Sequence, residues 1–91
     1  MPDRTKYSLT WSQMEHLEAL RAAAAFDRAS GVTSNDSRVV GFLNGGVIGI
    51  LVDKGFALRA SRTRARRRET ICWLTESGRL KAEELREHQP L

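Results

Sequence analysis

The sequence predicts a mainly α domain with one small β-hairpin, an α+β fold class. Three patterns predict it: a capped apolar helix from residue 11, two β-rich runs around an arginine-rich stretch, and a capped helix near residue 75. Ninety-one residues with 41% hydrophobic content suffice for one core and are too few for two. We therefore expect a loosely ordered tail over residues 1–8 and a single domain over residues 9–91.

The first helix is expected to begin after Thr10. Thr10 can act as N-cap with Gln13 at the third helical position, which is the arrangement of a capping box. Apolar residues then recur every three or four positions and form one inward stripe, which consists of Trp11, Met14, Leu17, Leu20 and Ala24. Trp11 is expected to anchor the helix. Because alanines 22–25 favour helix and Gly31 is a helix stop, the pattern predicts a helix over residues 11–29.

The middle of the chain leaves two alternatives open. Residues 34–43 are compatible with a short helix, and residues 38–43 are equally compatible with a buried strand. Residues 44–46, Asn-Gly-Gly, are expected to form a tight turn into a helix over residues 47–54. Gly55 follows as the expected left-handed end of that helix.

Two extended runs, residues 56–61 and 69–74, predict the strands of an antiparallel hairpin. The arginine-rich stretch between them is expected to be a solvated loop of about half a dozen residues. Thr75 can cap a final helix, in which Leu80 and Leu85 are expected to face inward.

Positive charge is concentrated in residues 59–68. This stretch holds six arginines and no acid, whereas the rest of the chain has nine Lys or Arg against eleven acids. The planar guanidinium grips phosphate in a bidentate manner, so such a patch favours a polyanionic partner. The candidate nucleic-acid contacts are Arg59, Arg62, Arg64, Arg66, Arg67, Arg68, Arg38 and Asn44.

Other classes of function find little support in the residues. Cys72, His16 and His88 lack the spacing of paired metal ligands, and we expect no metal, no cofactor and no enzymatic activity. Cys72 is expected to be a small strand hydrophobe, and Trp73 a sheet-face aromatic. With a single cysteine and no signal peptide, a reducing cytoplasm is expected. The uncharged run 39–52 is too short to span a bilayer, so no membrane partner is expected.

Two motifs bracket the arginine-rich stretch. A helix pattern ends in "LVDKG", a strand and a charged turn follow, and "LTESGR" opens the last helix. Over residues 44–85 this order resembles the MarR-type family of winged-helix regulators, with its LxxKG segment, wing and LTxxGR motif. The matching residues are Leu51, Lys54, Gly55, Leu74, Thr75, Gly78 and Arg79. The resemblance implies a winged helix-turn-helix with three helices, a two-stranded basic wing and a C-terminal helix.

The function implied is that of a small bacterial or phage transcriptional regulator on double-stranded DNA. Residues 44–50, at the position of the family's recognition helix, offer almost no side chain that reads base edges. The wing is then expected to contact DNA backbone or minor groove without reading sequence. The alternative is a protein-binding module or small phage-type inhibitor, which binds a protein or ribonucleoprotein through the basic wing and the apolar helix. A homodimer stays open.

Overall fold

The computed structural model describes residues 9–33, 36, 38–39 and 43–87. Within them the chain forms α1 (Trp11–Ala22), α2 (Gly45–Asp53), β1 (Ala57–Arg64), β2 (Arg67–Leu74) and α3 (Glu76–Glu87). This order is the small α+β domain that the sequence predicts, and it is compatible with a winged helix. The predicted tail and most of the segment 34–43, with its choice of helix or strand, lie outside the described residues.

The core lies between the helices and the base of the hairpin. Leu17 and Leu20 of α1, Leu51 of α2 and Val32 of the intervening segment are fully buried. Burying each of these side chains stabilises the fold by about 1.5–3 kcal/mol. Val32 also forms a two-way backbone bridge with Cys72 of β2, at 2.9 and 3.0 Å, so the segment before α2 is fixed to the hairpin. In the described part of the chain no helix has the length and apolar character needed to cross a membrane.

The N-terminus of α1 is the predicted capping box. The side chain of Thr10 accepts from the backbone N–H of Gln13, and the Gln13 side chain accepts from the N–H of Thr10, both at 3.1 Å. The expected anchor role of Trp11 is wrong, because its side chain is 76% exposed. The buried face of α1 instead begins at Gln13 and continues through His16.

The predicted end of the first helix at residue 29 is wrong, since α1 stops at Ala22. Ala24 takes a positive φ of 55°, and the N–H groups of Ala24 and Ala25 bond back to the carbonyls of Arg21 and Leu20. These two bonds form a Schellman end with alanine where glycine is usual. Ala25 is then fully buried, and its carbonyl accepts from the N–H of Leu74 at 2.8 Å. Docking onto the hairpin therefore overrides alanine's helix propensity.

The helix after the middle segment begins earlier than predicted. Asn44 is the N-cap of α2, and its side-chain oxygen accepts from the N–H of Gly46 at 2.8 Å. Gly45 and Gly46 therefore belong to the first helical turn and do not form a separate tight turn. Gly55, at φ 81°, is the predicted left-handed end.

The structure confirms the predicted N-cap of α3 but shows that a different face of the helix turns inward. The hydroxyl of Thr75 accepts from the N–H of Gly78 at 3.1 Å, as an N-cap does. Leu80 was expected inside and is 52% exposed. Gly78 must lie against the carbonyl of Phe56, where a Cβ atom would overlap it, and this contact sets which face of α3 turns inward.

The hairpin is antiparallel as predicted, but the predicted length of the connecting loop is wrong. Its register pairs Ala57 with Leu74 at the base and Arg64 with Arg67 at the tip. Only Ala65 and Arg66 remain between the strands, so most of the expected loop is strand. Cross-strand pairing of the polar residues thus continues as far as Arg64 and Arg67, next to the turn.

Candidate nucleic-acid interface

The outer half of the hairpin carries a set of exposed arginines. Beyond the pair of Ala60 with the buried Ile71, four further residue pairs extend to the turn. At about 3.3 Å per residue, these pairs project roughly 13 Å. The exposed arginines here are Arg64, Arg66, Arg67 and Arg68, which we call the arginine tip.

No carboxylate within the described residues forms a salt bridge with the arginine tip. Arg64 and Arg67 stand directly opposite each other in the register. Like charges in such a cross-strand pair are destabilising. The tip is therefore a concentration of positive charge that the rest of the described fold does not neutralise.

The turn at the tip has an unusual backbone for its residues. Ala65 and Arg66 have φ of 50° and 65°. A two-residue hairpin turn with positive φ at both positions is of type I′, which Asn-Gly normally occupies. Residues with a Cβ atom are disfavoured there by roughly 1–2 kcal/mol each. The turn thus keeps an arginine at its apex at a cost in stability.

The other predicted arginines have partners inside the protein, and Arg59 is the first. Its Nη1 donates to the carbonyl of Gly45 at 3.3 Å. A Cβ atom at Gly49 would lie 3.4 Å from Nη2, so the guanidinium lies directly against α2. Arg59 therefore ties the hairpin to that helix.

Arg62 is held across the hairpin by its register partner. Its Nε donates to Oε1 of Glu69 at 2.7 Å, and the two side chains are 31% and 28% exposed. This pair removes part of the positive charge from the middle of the hairpin.

Arg38 is bound to the loop that precedes the bridge to β2. Its guanidinium donates to the carbonyls of Ser30 and Gly31, both at 3.1 Å, and to the carboxylate of Asp36 at 3.0 Å. The hydrogen bond from the Arg38 side chain is the main cause that lowers the pKa of Asp36. Arg38 is therefore engaged in holding its own segment together.

Asn44 is likewise engaged in local structure. Besides capping α2 with its side chain, it donates its backbone N–H to Nε2 of His16 at 2.9 Å. The other ring nitrogen of His16 lies 2.6 Å from the carbonyl of Ser12. A donor at Nδ1 and an acceptor at Nε2 describe a neutral imidazole. His16 thus links α1 to the start of α2, as a satisfied histidine.

The outward face of α2 is apolar or bare. Gly45 and Gly46 are exposed, and Ile50 is 43% exposed. None of these residues carries a side-chain donor or acceptor that distinguishes base edges in the major groove. The polar group that the structure places against this helix is the guanidinium of Arg59.

One arginine at the hairpin was missed by the sequence patterns. Arg28, in the turn after α1, donates from Nη2 to the carbonyl of Ser61 at 3.2 Å. It stands 33 residues away along the chain from that partner, beside Asp27, so no local charge cluster marks it. Only the packing of its turn against the hairpin adds it to the basic surface.

Cys72 is buried at the base of β2, as expected for a strand hydrophobe. Burial raises the pKa of its thiol to about 11, and the nearby positive charge of Arg59 lowers it by less. The thiol is therefore protonated at neutral pH. Across the described residues, no three His, Cys, Asp or Glu side chains cluster in a way that could hold a metal ion.

No known family, curated protein or solved structure matches this chain.

Proposed function

We propose that this chain is a small winged-helix DNA-binding protein that contacts the backbone or minor groove of double-stranded DNA through the arginine tip. The observation that carries the proposal is the group of four exposed arginines with no carboxylate partner among the described residues. Guanidinium groups neutralise phosphates and enter narrow minor grooves without reading base sequence.

The shape of the hairpin supports this function. Its four outer residue pairs extend roughly 13 Å beyond the pair of Ala60 with Ile71, so the tip can approach a duplex. The turn holds Arg66 at the apex in a backbone conformation that disfavours it. Strained conformations of this kind cluster at functional sites.

The apolar face of α2 limits what kind of reading is proposed. Gly46 and Ile50 offer no bidentate contact to bases. We therefore propose affinity for duplex DNA with little sequence preference from this helix. The resemblance of residues 44–85 to the MarR-type family adds the expectation of transcriptional regulation in a bacterial or phage cytoplasm.

Binding to labelled random duplex DNA, followed by fluorescence anisotropy across a salt series, tests the proposal. Each phosphate neutralised contributes about −0.9 to the slope of log affinity against log salt, so the four tip arginines predict a slope of about −3 to −4. The variant R66Q/R67Q is expected to bind roughly tenfold or more weakly, with a slope shallower by about 2.

A matched control removes the same charge elsewhere. Arg79 and Arg86 lie on α3 and form ion pairs with Glu83 and Glu18. R79Q/R86Q is expected to keep the wild-type slope. Equal losses in the two double variants would show that net charge, and not the arginine tip, drives binding.

A second candidate function is protein binding. Ile50 and Leu58 are 43% and 48% exposed, which favours an apolar contact beside the basic hairpin. The apolar part of such an interface would depend only weakly on salt. Absence of duplex binding at low salt would overturn the DNA proposal and favour an acidic protein or ribonucleoprotein as partner.

A further inference from the structure

An open pocket of about 450 Å³ lies beside the hairpin. The lining residues are Arg28, Ser61, Arg62, Thr63 and Arg68, and we call this site the Arg28 pocket. Each of these side chains carries a guanidinium or a hydroxyl, and among the described residues no aliphatic or aromatic side chain lines the pocket. A lining of hydrogen-bond donors suits an anion better than an apolar ligand.

The turn that carries Arg28 is held by its own hydrogen bonds. The carboxylate of Asp27 accepts from the N–H and the hydroxyl of Ser30, at 2.8 and 2.9 Å. The hydroxyl of Ser30 in turn accepts from the N–H of Phe26 at 3.0 Å. From this turn the guanidinium of Arg28 reaches the carbonyl of Ser61. The arginine is thus held at the pocket before any ligand arrives, which lowers the entropic cost of binding.

The pocket remains positively charged after the described carboxylates that interact with Arg62 are counted. Glu69 binds Arg62 directly. Asp36, which also feels the charge of Arg62, is bound to Arg38. Arg28 and Arg68 have no salt bridge to any described carboxylate. Arg28 uses one N–H on Ser61 and keeps its other N–H groups, and Arg68 has no carboxylate partner in the described residues, so both can donate to an anion. Ser61 and Thr63 line the pocket beside them.

We infer that the Arg28 pocket binds a phosphate group. A phosphate presents several oxygens that accept from two guanidinium groups and two hydroxyls together. The inference rests on the proposed function, because on DNA this group is a backbone phosphate held beside the hairpin. Arg68 belongs to both the pocket and the arginine tip, so the two sites form one continuous track. A free phosphorylated compound presents the same chemistry.

Titration of the chain of residues 1–91 with inorganic pyrophosphate at low salt tests the pocket itself. Binding is expected, and R28Q is expected to weaken it roughly tenfold, the effect of one lost charge-assisted hydrogen bond. T63V removes a hydroxyl at an exposed strand position and keeps the branched shape, so it tests the pocket even if R28Q folds poorly. T63V is expected to weaken pyrophosphate binding several-fold, while the control R86Q leaves it unchanged.

The DNA salt series supplies the second arm. If the bound group is a backbone phosphate, R28Q makes the slope shallower by about 0.9 relative to R86Q. If pyrophosphate binding needs Arg28 but the DNA slope does not, the pocket takes a free phosphorylated compound. Both results support a phosphate site and identify its source.

The inference and the proposed function fail in different ways. Pyrophosphate binding that depends on Arg28 in a protein without DNA affinity would remove the DNA proposal and keep the pocket. DNA binding that needs Arg66 and Arg67, with no pyrophosphate binding and equal slopes for R28Q and R86Q, would remove the pocket and keep the DNA proposal. Pyrophosphate binding that neither R28Q nor T63V changes would also overturn the pocket.

Discussion

Two sets of arginines on this protein look alike in sequence and differ in their surroundings. Arg38, Arg59 and Arg62, the anchored arginines, donate to backbone carbonyls or to a carboxylate of their own chain. The arginine tip lies a few residues further along the hairpin and has no such carboxylate partner in the described residues. The anchored arginines stabilise the fold, whereas the tip lowers stability and remains available to an external anion.

The comparison teaches that charge density by itself does not define a binding surface. The stretch 59–68 carries six arginines, but Arg59 and Arg62 are already engaged within the protein. An arginine that holds two carbonyls or a carboxylate must release them before it grips a phosphate. The free guanidinium groups at the end of the hairpin need no such exchange.

The largest effect on stability is expected at Arg38. R38Q removes the bonds to Ser30, Gly31 and Asp36, and we expect a loss of about 1–2 kcal/mol in the free energy of unfolding. Urea denaturation measures it. The control R79Q breaks an exposed helical ion pair and should cost less than about 0.5 kcal/mol. If R38Q keeps its stability but loses DNA affinity as R66Q/R67Q does, Arg38 contacts DNA like the arginine tip and does not stabilise the fold.

The turn gives a smaller effect of opposite sign. R66G relieves a positive φ at the second turn position, so we expect the free energy of unfolding to rise by about 0.5–1 kcal/mol while DNA affinity falls. R66A is the matched control, since it removes the same charge and keeps the Cβ atom. Equal stability gains in R66G and R66A would trace the strain to charge repulsion and not to the backbone.

The smallest effect concerns pH. Because Arg38 lowers the pKa of Asp36 below its ordinary value of 3.8, the ionised pair contributes stability above that pH. This contribution is lost as pH falls through the lower pKa of the folded state. The difference in unfolding free energy between wild type and R38Q should therefore narrow in acid. If that difference in unfolding free energy stays constant with pH, the ion pair with Asp36 contributes nothing. Arg38 then stabilises the fold only through its bonds to the carbonyls of Ser30 and Gly31.

Helix ends show where sequence reasoning works and where it stops. α1 and α2 both end in a Schellman pair of backbone bonds, with Ala24 and Gly55 at the left-handed position. Gly55 predicts a left-handed helix end from the sequence, because glycine lacks a Cβ atom. Ala24 does not, since alanine favours helix, and only the burial of Ala25 against the hairpin stops α1.

The hairpin turn follows the same logic. Nothing in Ala65 or Arg66 predicts a type I′ turn, and a longer loop is the reasonable expectation from the residues. The register is set by the base of the hairpin, where Ala57, Ile71 and Leu74 are buried. Once those pairs form, the strands continue outward and leave two residues to close the turn.

The sequence by itself determined the α+β class, the caps at Thr10 and Thr75, and the concentration of arginine, because these depend on nearest neighbours and composition. Only the tertiary structure decided which arginines have partners inside the protein. Arg59 meets the carbonyl of Gly45, and Arg28 reaches Ser61, across separations of 14 and 33 residues. Such contacts arise from how helices and hairpin pack, and no local pattern of residues encodes them.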